Sequence, residues 1–292
     1  MKAKAYAKNI AAMTIFGTIG LFVRIIPIPS SELALARTLL GSGTLILVML
    51  FTKQKPNLVS LRKNLPLLIP AGILMGFNWV MLFEAYRNTT VSVSTLMYYC
   101  APVIVILLSP VILKEKLTAP KLIGVGVSMF GMILVNKGPI GGANPLRGVV
   151  CALMAAMMYA GIVIINKLVK GLSGLETTLI QLLTACAVLL VYDLITLKGA
   201  WVMPRGLGLS ALLAVGLIHT GLAYLMYFSS AKDLEGQSLA MCSYIDPFVA
   251  LMLSALFLGE RMAGLQIVGA VMILAGAAFG ELCHIKKEKT AV

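Results

Sequence analysis

Two prolines sit inside long apolar runs, and the residues just before them have chemistry to offer. Tyr98 and Tyr99 precede Pro102; Tyr244 and Asp246 precede Pro247. A proline lacks the backbone donor and frees a carbonyl about one turn earlier, so a helix interrupted there exposes backbone beside the flanking side chains. Asp246, deep in apolar sequence, is suited to hold an amine, carry a proton or pair with a cation. Arg37 lies well inside another apolar run, where a central charge costs about 2.5–3.5 kcal/mol and must face a partner or a wet cavity. It reads as a structural charge pin or as a carboxylate clamp. His219 carries a ring that titrates near neutral pH, or one that serves as an interhelical hydrogen-bond partner. Asn78, Trp79, Tyr159, Thr220, Tyr224 and Tyr227 complete the polar and aromatic set inside apolar sequence. Aromatic faces can hold a cationic ligand, and the same residues can be core filling.

The elements that must position these residues are set by composition. Of 292 residues, 60% are hydrophobic and 12% charged, with a mean hydropathy of +0.97. A soluble domain carries about 25% charged residues. The chain therefore reads as an all-α polytopic membrane protein in contact with a lipid bilayer. A spanning helix needs about 20 mostly apolar residues. Ten runs qualify: 6–26, 32–51, 65–85, 91–113, 119–135, 146–165, 175–195, 207–228, 238–258 and 264–282. No cleavable signal peptide stands out. The net charge of +13 is spread over short connections rather than gathered in one patch, which argues for lipid topology and against nucleic acid. Lys and Arg concentrate on the side that holds both termini, so both termini are expected in the cytoplasm of a cell-membrane protein. The five cysteines lie in or at the end of apolar runs and imply no disulfide framework.

The chain repeats itself. Shifting the first half by 145 positions places Tyr99 on Tyr244, Pro102 on Pro247, Ser109 on Ser254, Glu115 on Glu260, Gly124 on Gly269 and Gly131 on Gly276. Glu32 and Arg37 fall opposite Glu176 and Gln181 at a shift of 144. Each half then holds five runs, with halves at 1–140 and 141–292. Five is odd, so the second half enters the membrane upside down. Inverted repeats place a ligand near the midplane between the halves, and rocking about it gives alternating access. The acids Glu115 and Glu260 lie at a membrane edge, where a helix dipole favours them. The repeated glycines allow close helix packing, between the halves or in a homodimer.

Pro102 with Lys114-Glu115-Lys116, Pro247 with Gly259-Glu260-Arg261, Arg37 and the glycine-rich fifth and tenth runs carry a further resemblance. The chain resembles the ten-helix, EamA-type members of the drug/metabolite transporter superfamily over essentially its whole length. Phe16 stands where many such proteins carry Trp, and Gln181 where Arg37 would repeat. The resemblance implies a five-plus-five inverted fold with a central cavity lined mainly by the first, third, fourth, sixth, eighth and ninth helices. It also implies movement of small organic metabolites, such as amino acids or related amines, often outward. The substrate-binding set expected is Asn78, Trp79, Tyr98, Tyr99, Tyr159, His219, Tyr224, Tyr244 and Asp246, with Arg37 as pin or clamp. No catalytic residue, metal or cofactor is expected. There is no GxxxxGK[ST] loop for ATP, and no cluster of nucleophile, paired acids or metal ligands for a membrane enzyme. A proton gradient, or the substrate's own gradient, would drive the cycle.

Overall fold

The computed structural model describes residues 2–290 apart from 55, 115–118, 137–140, 197–200, 232–241, 243–244, 258 and 260–262. The described residues form helices and no strand. The first half opens with α1 (Lys2–Gly17) and α2 (Ile19–Ile25), one span interrupted at Thr18. It continues with α3 (Ser30–Phe51), α4 (Leu58–Asn88), α5 (Val91–Tyr98), α6 (Ala101–Ile112) and α7 (Ala119–Asn136). The second half holds α8 (Pro145–Leu168) and α9 (Gly174–Thr196). Its eighth span is composite: α10 (Leu207–Leu213), a π-helical stretch (Ala214–Leu222) and α11 (Ala223–Ala231). Then come α12 (Ile245–Phe257) and α13 (Gly264–Thr290). Seven spans are long and apolar enough to cross a bilayer, and shorter apolar helices within α7, α12 and α13 bring the set to ten.

Local chemistry explains the boundaries. The third span begins at Leu58 rather than near 65 because the Asn57 side chain accepts from the Ser60 amide at 3.1 Å, capping an entry turn the apolar run does not include. Pro102 separates α5 from α6. Its missing amide leaves the Tyr98 carbonyl without its helical donor, and the chain tightens there with Cys100 N–H bonding to the Met97 carbonyl at 3.1 Å. Leu33, Leu45, Phe83, Leu182, Leu189 and Val215 are buried together where α3, α4, α9 and the π-helical stretch meet. Large apolar side chains such as Leu47, Ile133, Leu194 and Val271 are exposed, as lipid-facing positions require.

The repeat shows in the contacts themselves. A Cβ on Gly131 would lie 2.5 Å from the Gly269 carbonyl oxygen, and one on Gly276 would lie 2.6 Å from that of Gly124. The 145-residue shift exchanges these two contacts. In the same way Gly76 faces Leu189 while Gly221 faces Thr44. Glu32 Oε1 accepts from the Val202 amide at 2.9 Å, and Glu176 Oε1 accepts from the Asn57 amide at 2.7 Å. Those two bonds sit at opposite ends of the bundle, so the same contact recurs in inverted orientation. Lys114 and Gly259, also 145 apart, both adopt left-handed φ, 56° and 63°, where the fourth and ninth spans end. The chain is thus two inverted five-helix repeats. Glu115 and Glu260 lie outside the described residues.

Candidate functional site

Three interruptions converge at the middle of the bundle. In the first span, Gly17 passes so close to the ninth that a Cβ would stand 2.6 Å from the Asp246 carbonyl oxygen; only glycine permits that approach. The next residue, Thr18, ends the α1 geometry and turns its hydroxyl toward His219, with Oγ1 2.7 Å from Nε2. The break between α5 and α6 sets Tyr98 and Tyr99 side by side, ring centroids 6.3 Å apart. The π-helical stretch, whose hydrogen bonds run five residues back, brings His219 and Thr220 to the inner face. His219 Nδ1 lies 3.0 Å from the Ala214 carbonyl, and Thr220 Oγ1 donates to the Val215 carbonyl at 3.1 Å.

Two charges occupy this interior. Arg37 is 4% exposed. Its Nε donates to Thr220 Oγ1 at 2.8 Å, its guanidinium also bonds to Tyr224, and its Cζ lies 4.1 Å above the Trp79 ring centroid. Stacking on Trp79 orients the planar fork. Asp246, partly exposed, is hydrogen-bonded by the Tyr99 hydroxyl. Arg37 and Asp246 lie within electrostatic reach of each other, yet each takes hydroxyl partners of its own. Around them stand the rings of Tyr98, Tyr159 and Tyr224. Tyr98 and Tyr159 are 5.4 Å apart, and Phe16 meets Tyr224 edge-on at 5.4 Å.

The sequence-derived set therefore divides. Arg37, Tyr98, Tyr99, Tyr159, Tyr224 and Asp246 are gathered in one interior region. Asn78, Trp79 and His219 stand behind it as fasteners: Asn78 Nδ2 donates to the Ala155 carbonyl at 2.6 Å, and its Oδ1 is 3.4 Å from the Tyr98 hydroxyl. Tyr244 lies outside the described residues. Sequence reasoning missed Gly17, Thr18 and Tyr86. Tyr86 is 4% exposed and within electrostatic range of both Asp246 and Arg37. The available signal for the first two was a Gly-Thr pair inside an apolar run, a composition that kinks helices. Tyr86 had none, because it sits two residues past Glu84 near the end of its run. At the bundle end opposite the N-terminus, Glu84 accepts from Ser30 Oγ at 2.7 Å and pairs with Arg147 at 3.2 Å, bridging the halves; Arg87 bonds there to the Ile28 carbonyl.

Two inverted five-helix repeats around a polar, aromatic-lined interior define a membrane transporter. The sequence comparisons agree: the chain matches the EamA-like transporter family over residues 4–137 and again over 146–280. It belongs to that family, within the drug/metabolite transporters. An uncharacterized transporter of Bacillus subtilis, YxxF, is 30% identical over 289 residues, covering 95% of this chain and 89% of that one. Protein PecM of Dickeya dadantii is 29% identical over 230 residues, covering 73% and 74% respectively. A solved crystal structure superposes with a TM-score of 0.72 at 18% identity, over 96% of this chain and 98% of that one, and supports the fold.

Proposed function

We propose that this multi-pass transporter exports small organic metabolites by alternating access, zwitterionic amino acids ahead of the related amines, and that it is not an enzyme. The supporting observation is the separated charge pair. Arg37 and Asp246 come from different halves and share one interior, but hold Thr220 and Tyr224 on one side and Tyr99 on the other. A substrate carboxylate would bond to the guanidinium, and its ammonium to Asp246. Tyr98 and Tyr159 offer ring faces to the substrate's side chain. Arg37 is buried and Asp246 partly so, and two opposite charges left unpaired in one interior are costly when it is empty; a zwitterion neutralises both at once. The Lys/Arg excess at the end bearing the termini supports a cytoplasmic N- and C-terminus in the plasma membrane.

The test is counterflow in proteoliposomes preloaded with single amino acids, the matching amines or the matching carboxylic acids. Zwitterions should exchange, and molecules lacking either charged end should exchange poorly. Equal exchange of amines and amino acids would remove Arg37 from the binding role. No exchange of any of them would end the reading.

A further inference from the structure

Three linked contacts run through His219 and Thr18. Nδ1 lies 3.0 Å from the Ala214 carbonyl, Nε2 lies 2.7 Å from Thr18 Oγ1, and Thr18 Oγ1 lies 2.7 Å from the Ile15 carbonyl. Carbonyl oxygens only accept. Filling the first contact needs a proton on Nδ1. Filling the third uses the single hydroxyl proton of Thr18, and the second then needs a proton on Nε2. All three together need a doubly protonated ring. A neutral ring and Thr18 supply one proton fewer than the three contacts need. The neutral arrangement has Nδ1–H donating to Ala214 and the Thr18 hydroxyl donating to bare Nε2, which leaves the Ile15 carbonyl with the Thr18 amide at 3.1 Å and without the hydroxyl.

We propose that His219 is a proton-binding site whose occupancy sets the geometry of the break in the first span. A proton from solvent binds Nε2. The new N–H donates to Thr18 Oγ1, and the Thr18 hydroxyl swings to the Ile15 carbonyl on the last turn of α1. No covalent bond other than N–H is made, and loss of the proton reverses every step. The swing happens one residue from Gly17, which rests against the Asp246 carbonyl. One residue along from His219, Thr220 holds Arg37. A single proton thus acts on the elements that carry both charges of the site. This inference rests on the transport reading for its purpose but not for its test.

The groups around the ring are few. The π-helical stretch packs against α1, α2, α3, α10 and α11. α3 supplies Arg37, the charged group that bears on His219. α2 supplies Phe22, edge-on with a centroid distance of 5.0 Å; neither α1 nor α2 has an acid, and the titratable residues of α1, Lys2, Lys4, Tyr6 and Lys8, lie in its first half, away from Thr18. Arg24 on α2 turns instead to the Thr89 carbonyl. α10 has no titratable residue, and Tyr224 on α11 bonds to Arg37.

The chain has two histidines, so a His284→Gln background leaves one ring to observe. Purified protein carrying ¹⁵N-labelled histidine in lipid nanodiscs is followed by NMR from alkaline conditions down to about pH 4. The expected spectrum is the Nδ1–H tautomer with a hydrogen-bonded bare Nε2, converting to the imidazolium as protons bind. In Thr18→Val, Nε2 should lose its hydrogen-bonded shift and the titration midpoint should move. Thr18→Ser should restore both, which a general packing role would not do. An Nε2–H tautomer at alkaline pH, a ring that stays neutral throughout, or a Thr18→Val spectrum identical to the parent would overturn the proposal. None of these outcomes depends on any substrate, so a failed counterflow experiment and a failed titration remain distinguishable.

Discussion

Arg37 Nε donates to Thr220 Oγ1 at 2.8 Å, and this bond joins the second span of one repeat to the π-helical stretch of the other. The guanidinium also spans Trp79 and Tyr224, a geometry that an ammonium point charge cannot reproduce. Arg37→Lys should therefore lower amino-acid counterflow at least about tenfold, equivalent to about 1.4 kcal/mol, while the protein still folds. Arg37→Ala should lower both counterflow and thermal stability, since Thr220 and Tyr224 lose a buried partner. Normal flux in Arg37→Lys would make the residue a pin.

Asp246 and Tyr99 test the other end of the site. Asp246→Asn keeps shape and removes charge, whereas Tyr99→Phe removes one hydrogen bond to a charged group, about 1.5–3 kcal/mol. Counterflow should fall in both and fall further in Asp246→Asn. The reverse order would assign substrate binding to the phenol rather than the carboxylate.

The glycine contacts between α7 and α13 predict a paired effect. At Gly276 a side chain would meet backbone, the Gly124 carbonyl oxygen at 2.6 Å and the Ser128 amide nitrogen at 2.8 Å. Gly276→Leu and Gly131→Leu should each cost about 1–3 kcal/mol by overpacking. Gly126→Leu, where nothing lies within 4 Å of the added Cβ, should leave the melting temperature nearly unchanged. Thermal unfolding of the three variants in one detergent checks this.

Lys114 holds φ at 56° where its counterpart Gly259 holds 63°. A left-handed residue with a Cβ costs roughly 1–2 kcal/mol that glycine does not. Lys114→Gly should stabilise the protein and Gly259→Lys should destabilise it, each by about 1 kcal/mol, read as opposite shifts of the thermal midpoint.

Asp193 on α9 is fully buried, with the Ser31 side chain beside it, and neither carboxyl oxygen has a hydrogen-bond partner among the described residues. Glu32 Oε2, close by in electrostatic terms, is likewise unpartnered. Replacing an orphaned buried polar group by an apolar one of similar size removes a penalty of about 1–3 kcal/mol. Asp193→Leu should raise thermal stability by an amount in that range, and a loss of stability would show that the carboxyl has a partner in the folded protein.

The repeat was legible because its markers are backbone requirements. Pro102 and Pro247, or Gly131 and Gly276, are fixed by geometry that few other residues satisfy. The odd helix count per half then made inversion a matter of arithmetic. Which polar residues share the interior was harder to read. In an apolar run both the lipid face and the packed face are hydrophobic, so periodicity gives no direction for Tyr98 against Tyr86. The π-helical stretch was not legible either: Ala214–Leu222 holds Gly216 and Gly221, which read as small residues for close packing, and both do press against α3, at Leu40 and Thr44. That stretch is what aims His219 and Thr220 inward.

The exchange of Gly131–Gly269 with Gly124–Gly276 has a historical reading. A surface whose contacts map onto themselves when the partners swap is what a symmetric dimer uses. A five-helix ancestor able to insert in both directions would have met its own upside-down copy across this seam. Two repeats in one chain need not mirror each other residue for residue, and an arginine at 37 stands opposite a glutamine at 181. The charges of the interior divide in the same way, the guanidinium of Arg37 from one repeat and the carboxyl of Asp246 from the other, an asymmetry that two identical copies related by exchange could not hold.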